Sequence, residues 1–164
     1  HERPPQWAEE FVGVVAEAAA AIDSSGSSGM KSDEVLAHLR PGLEGLGYRV
    51  EAGKRTVDRI RRPVLFGEQG VERVSFEVDA VHDDLGVLVE VEAGRGAQNN
   101  AVYRDLIRTS LIVGARFLVI GVMREYRYKN GQTQSYRDAR ALLDAIYSSG
   151  RLRFPFEGIL LFGY

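Results

Sequence analysis

Four carboxylates recur at strand spacing within one short stretch of the chain: Glu77 and Asp79 in SFEVDAVH, then Glu90 and Glu92 in VLVEVEAG. The intervening HDDLG reads as a tight turn. Both flanks alternate with period two. Ser75, Glu77 and Asp79 therefore leave one side of a strand, and Val74, Phe76, Val78 and Ala80 the other. In the second flank Leu88, Glu90 and Glu92 oppose Val87, Val89 and Val91. A hairpin centred on Asp84 and Leu85 sets Asp79 opposite Glu90 and Glu77 opposite Glu92. Like charges facing each other destabilise a sheet, so the pattern points to a bound cation. A merely solvated acidic face is the plain alternative for any one of the four.

Residue types narrow the cation. The chain has no cysteine, which removes thiolate zinc, disulfides and a cysteine nucleophile. His1, His38 and His82 lack metal-ligand spacing. Oxygen ligands favour a hard divalent ion such as Mg²⁺ or Mn²⁺, which is typically held by one or two carboxylates, waters and substrate phosphates. Asp79 and Glu90 supply such a pair, and the Val91 carbonyl adds a backbone donor. Glu92 can orient or deprotonate a water or bind a second ion, while Glu77 is more peripheral.

The elements that must position these acids follow from periodicity. Trp7, Phe11, Val14, Val15, Ala18 and Ile22 recur at helical spacing, followed by the linker-like DSSGSSG. Ser32 is placed to cap a second helix with Val35, Leu36, Leu39, Leu43 and Leu46 as its buried stripe. Pro41 should kink or split that helix, and Gly47 can end it. A short strand over 48–51, a basic loop or irregular edge up to Pro63, and an edge strand over 64–66 precede the carboxylate hairpin at 72–92. AGRGAQNN leads to a helix over 98–113, and ARFLVIGVM reads as a strand buried on both faces. Ser135 and Asp138 open a capping-box-like helix that runs to Gly150, and GILLFGY is a final strand. The crossover from Glu92 to Phe117 should make those two strands parallel. At 164 residues this is one α/β domain, a mixed sheet flanked by helices.

This order of elements with these acids resembles the PD-(D/E)XK nuclease superfamily. Its pattern is an Asp on one strand of a hairpin and an acidic-x-Lys triplet on the next. Asp79 matches the first acid, and Glu90-Val91-Glu92 matches the triplet. Val78 stands at the motif proline, and Glu92 at the lysine, as in the E-x-E subgroup of BamHI-like restriction enzymes. The resemblance implies a restriction endonuclease-like αβββαβ core over 32–122, with the N-terminal helix and linker (1–31) and a C-terminal helix and strand (123–164) as additions. It implies Asp79, Glu90 and Glu92 as catalytic residues. It also implies Mg²⁺ (or Mn²⁺) as cofactor, DNA as substrate, and the homodimer usual for a double-strand cutter.

Net charge is −2, which disfavours bulk electrostatic coating of nucleic acid and leaves local patches open. Lys54, Arg55, Arg59, Arg61 and Arg62 crowd one segment, and Arg124, Arg127 and Lys129 alternate with Tyr126 and Tyr128 in another. Basic side chains can bind phosphates and tyrosines can stack on bases. Asn100, Arg104 and Arg108 follow helical spacing, with Arg95 in the Gly-flanked loop before them. The expected nucleic-acid contacts are Arg95, Asn100, Arg104, Lys54, Arg124 and Tyr126. Gln98 and Tyr103 match the Gln and Tyr motif of some superfamily exonucleases only loosely. No apolar run has membrane-spanning length and no secretory signal pattern is present, so a cytoplasmic location is expected. The competing functions are a nuclease-fold protein that binds nucleic acid or a protein without cleaving, and a structural domain with an acidic face.

Overall fold

The computed structural model describes residues 3–24, 30–94, 100–128 and 131–164. Helix α1 (Gln6–Ile22) buries Trp7, Phe11 and Ile22, and α2 (Ser32–Gly45) buries Val35, Leu36, Leu39 and Leu43. The two pack closely because Gly42 lacks a side chain: a Cβ there would lie 2.6 Å from Val14 Cγ1. Ser32 is the first helical residue, and Lys31 occupies the cap, its amide donating to Glu34 Oε2 at 2.8 Å. The helix continues through Pro41 without the split that was one of the two sequence expectations there. Proline forfeits one backbone hydrogen bond, and the leucine stripe buried on both sides of it offsets that loss. Gly47, at φ +89°, reverses the chain beyond the helix.

Strands β1 (Arg49–Val50), β4 (Ala80–His82), β5 (Val87–Glu92), β6 (Phe117–Val122) and β9 (Gly158–Gly163) form one mixed sheet in that order. β1, β4 and β5 are antiparallel neighbours, while β5, β6 and β9 run parallel. Helix α3 (Ala101–Ser110) crosses from β5 to β6, and α4 (Ser135–Ser149) from β6 towards β9. Alternation along β5 and β6 sends Val87, Val89, Val91 and Val119 against α1 and α2. Leu88, Leu118, Ile120 and Val122 pack against Val102 and Leu106 of α3 and Ala139, Leu143 and Ile146 of α4. The result is three layers, with the sheet covered on both faces.

The hairpin register matches the expectation, with Ala80 opposite Val89, Val81 opposite Leu88 and His82 opposite Val87. Its first strand is shorter than expected. The chain bends at Asp79, and β3 (Glu72–Val78) leaves the sheet to pair with β2 (Ile60–Phe66) in a separate two-stranded arm. The edge strand expected over 64–66 thus begins earlier, at Ile60, and takes in Arg61 and Arg62 from the segment expected to be a loop or irregular edge. Glu77 lies opposite Arg61, not Glu92. A smaller hairpin joins β7 (Tyr126–Tyr128) to β8 (Gly131–Thr133). Among the described residues no helix is long and apolar enough to cross a membrane.

Candidate active site

The bend that ejects β3 is what aims Asp79. Its amide donates to the Val89 carbonyl at 3.2 Å, and its carbonyl accepts from the Glu51 amide at 2.7 Å. One residue past that ladder its side chain turns across the sheet, and Oδ2 accepts from the Val91 amide at 2.6 Å. Asp79 is thus fastened to the residue between the two glutamates. An extended residue presents its N–H and C=O on the same strand edge, so the Val91 carbonyl leaves β5 on the edge where Asp79 sits.

Glu90 and Glu92 share the β5 face with Leu88, beneath α3. Glu90 is only 8% exposed, and among the described residues no hydrogen bond reaches its carboxylate. Burial first, then the charges of Asp79 and Asp105, push its pKa well above the ordinary glutamate value, against the opposing pull of Arg108. Burial likewise raises Asp79 to about 7, against the Val91 hydrogen bond, with Glu51 and Asp105 adding to the rise. Burial and a hydrogen bond shared with the Asp105 carboxyl lift Glu92 to about 8. Arg104 Nη2 ion-pairs with Glu92 Oε1, and Arg104 Nε lies 3.1 Å from Asp105 Oδ1.

Asp105 is the residue that the sequence reading missed. The α3 face was read through its arginines, and this acid sits at the next position. A signal existed: Val102, Asp105, Leu106 and Thr109 share helical spacing, so an aspartate interrupts an apolar stripe, and the structure buries all four. Glu51 was also missed, and its pKa is raised chiefly by burial.

Glu51, Asp79, Glu90 and Glu92 line an open cleft of about 360 Å³. Ser32 and Asp33 at the start of α2 form one wall, and Arg104 and Arg108 of α3 another. Lys54 and Arg59 stand at its edge, Lys54 3.1 Å from Asp33, and Arg59 paired with Glu77. Glu77 therefore borders the cleft as the partner of an arginine and not as a member of the buried acidic group. Arg108 lies 5.0 Å over the Phe76 ring. Tyr126 lines a neighbouring hollow that shares Ser32, Asp33 and Lys54 with the cleft. The remaining expected contacts lie elsewhere. Asn100, at φ +58°, borders a hollow between α3 and α4. Arg124 packs by the end of α1, its amide bonded to the Tyr164 carbonyl at 2.7 Å. Arg95 and Gln98 fall outside the described residues.

The donor set suits a hard cation. All the candidate ligands are oxygens, the carboxylates of Asp79, Glu90 and Glu92 and the Val91 carbonyl, and Glu90 is 8% exposed. Among the described residues no three acids or histidines are drawn together as a ready cation cage. Asp79, Glu90 and the Val91 carbonyl are the groups that would hold an ion at the floor of the cleft. No family model, curated protein or solved structure matches the chain.

Proposed function

We propose that the chain is a Mg²⁺- or Mn²⁺-dependent phosphodiesterase that hydrolyses DNA. The observation that carries this reading is the burial of Asp79 and Glu90 beside Glu92 and Asp105, with Arg104 and Arg108 the nearest cations. Two unit charges about 4 Å apart repel by about 4 kcal/mol at an effective dielectric near 20. A whole domain is stable by only about 5–15 kcal/mol. Without a cation the fold relieves this repulsion by protonation, since burial and mutual charge raise the pKa values of Asp79, Glu90 and Glu92, and a bound divalent ion would let them ionise. The element order supports the same reading. With the β2–β3 arm set aside as an insertion between β1 and β4, the elements α2, β1, β4, β5, α3 and β6 run αβββαβ, with three antiparallel strands and a parallel fourth. That is the order implied by the restriction endonuclease-like resemblance.

A divalent ion held here would supply Lewis acidity towards a phosphoryl oxygen and lower the pKa of water. The residues supply the rest. The Val91 amide holds Asp79 in place, and the rigid β5 strand holds Glu90. Burial pushes Glu92 up to about 8 and its side chain faces the cleft, so it can take a proton from an attacking water once a bound cation has ionised it. Lys54, Arg59 and Arg108 offer charge to backbone phosphates, and the Tyr126 ring lies where the groove continues.

One observation favours a second reading. Glu92 and Asp105 are already paired with Arg104, as in a site that binds nucleic acid without cutting it. Incubation of the protein with supercoiled plasmid and Mn²⁺ separates the two. The proposal expects nicked or linear product, lost in excess chelator and in Asp79→Asn. Cleavage that persists in chelator, or binding with no cleavage under any divalent ion, contradicts it.

A further inference from the structure

β9 closes one end of the main sheet and carries nothing that guards an edge. It pairs with β6 on one side only, in unbroken register, and from Gly158 to Gly163 it holds no charge, no proline and no bulge. Open edges are commonly blunted by such devices, because a bare one templates pairing with another strand. The Tyr164 amide donates to the Val122 carbonyl at 3.1 Å, so the even-numbered residues face β6. Ile159 and Leu161 therefore turn their N–H and C=O groups outward, with Gly163 beyond them. Among the described residues no backbone partner meets the outward groups of Ile159 or Leu161. The Gly163 carbonyl accepts from Arg124 Nε at 3.3 Å and keeps a second lone pair.

We propose that a second copy of the chain docks here, β9 against β9 and antiparallel, about a two-fold axis at Leu161. Leu161 then exchanges both backbone bonds with its counterpart, and Ile159 does so with Gly163 of the second copy. The helix beside the edge has the same centre. α4 begins over the end of β9, where a Cβ on Gly163 would lie 2.8 Å from Tyr136 Cδ2. Tyr136, Arg140, Asp144 and Tyr147 line a hollow of about 320 Å³ with Ile159 and Leu161. The midpoint of that helical row lies about 8 Å from Tyr136. Counted back from Gly163, that is about two and a half strand residues, which is beside Leu161. One two-fold therefore serves strand and helix together. It sets Arg140 of each copy by Asp144 of the other, and Tyr136 by Tyr147. Within one helix Arg140 and Asp144 are 3.8 Å apart and 69% and 70% exposed, so exchanging that pair across the seam costs little. Tyr147, 57% exposed in the single chain, gains cover. The inference stands apart from the phosphodiesterase reading. Reversal of strand direction sends the two clefts to opposite ends of the joined sheet, so they do not share one substrate site.

The test is sedimentation equilibrium of the chain from micromolar to millimolar concentration, with amide hydrogen exchange in parallel. Wild type should show a monomer–dimer equilibrium, and exchange at Ile159 and Leu161 should slow as the dimer fills. Arg140→Asp and Asp144→Arg each set like charges across the seam. Each should raise the dimer dissociation constant by at least about tenfold. The double variant Arg140→Asp with Asp144→Arg restores opposite charges and should dimerise as wild type does, a recovery that misfolding cannot produce. A chain that stays monomeric at millimolar concentration leaves the edge to some other strand and overturns the proposal. A dimer that neither single variant weakens, or in which Ile159 and Leu161 exchange at a concentration-independent rate, is joined elsewhere and overturns it equally.

Discussion

The Val91 amide donates to Asp79 Oδ2 at 2.6 Å, and this one bond ties the first acid of the site to the centre of the Glu90-Val91-Glu92 triplet. It spans the point where β3 leaves the sheet, so the position of Asp79 depends on both the bend and the β5 edge. Asp79→Ala should release the Val91 amide as well as an acid, whereas Asp79→Asn retains an oxygen that can accept from it. Amide hydrogen exchange at Val91 should therefore stay slow in Asp79→Asn and accelerate in Asp79→Ala.

Neutralising a buried acid should stabilise the cation-free protein. Glu90→Gln is expected to gain about 1 kcal/mol, or about 2–4 °C in Tm for a chain of this size, while losing activity. Calorimetry in chelator checks this. A loss of several degrees would identify Glu90 as a required structural anion.

The pH dependence follows from the direction of the shifts. Asp79, Glu90 and Glu92 all have folded pKa values raised above ordinary carboxylate values, with Asp79 at about 7 and Glu92 at about 8. The folded state therefore holds protons that the unfolded chain releases near pH 4, and the stabilisation is full below that pH. It should be lost as pH rises through 7 and 8. Thermal melts in chelator should fall from pH 5 to pH 9, with a shallower fall in Glu90→Gln. Mn²⁺ affinity should rise over the same interval, because the ion binds the deprotonated groups.

Much of this was legible from residue patterns, and the misses have physical causes. Valine alternation and the Asp84–Leu85 turn set the register of β4 on β5. The unbroken apolar run at 117–122 marked the central parallel strand. The departure of β3 was hidden because its alternation continues through Asp79, and nothing local separates one long strand from two short ones. Its partner β2 carries Arg61, Arg62 and Pro63, which read as loop, yet Pro63 is tolerated in a strand whose other edge is unpaired in the arm. Glu77 was consequently assigned to the acidic group and belongs with Arg59. Asn100 and Arg104 border different hollows: Asn100 precedes α3 in the left-handed conformation, and Arg104 lies within the helix.

The sheet offers a test independent of the site. A Cβ at Gly121 of β6 would lie 2.3 Å from Phe162 Cζ, so the Phe162 ring fills the space that a side chain would need. Gly121→Ala should destabilise the protein by about 1–3 kcal/mol through overpacking, as measured by denaturant unfolding. An unchanged midpoint would contradict the packing of β9 on β6.

Lys54 and Arg59 stand at the cleft edge and should contribute phosphate contacts. Binding of a short DNA duplex in Ca²⁺ should weaken in Lys54→Ala and Arg59→Ala. Each change should lower the slope of log K against log salt by about one. Arg124→Ala, beside α1 and away from the cleft, should bind as wild type does.

The most direct test of the central claim is single-turnover cleavage of an end-labelled DNA duplex in Mn²⁺ by wild type and by Glu90→Gln, purified in parallel and equally folded by calorimetry. The account predicts phosphodiester cleavage by wild type, none in chelator, and a loss of at least about a hundredfold in the variant, on the scale of removing one transition-state contact. Equal cleavage by both proteins, or none by wild type with any divalent ion, would contradict it.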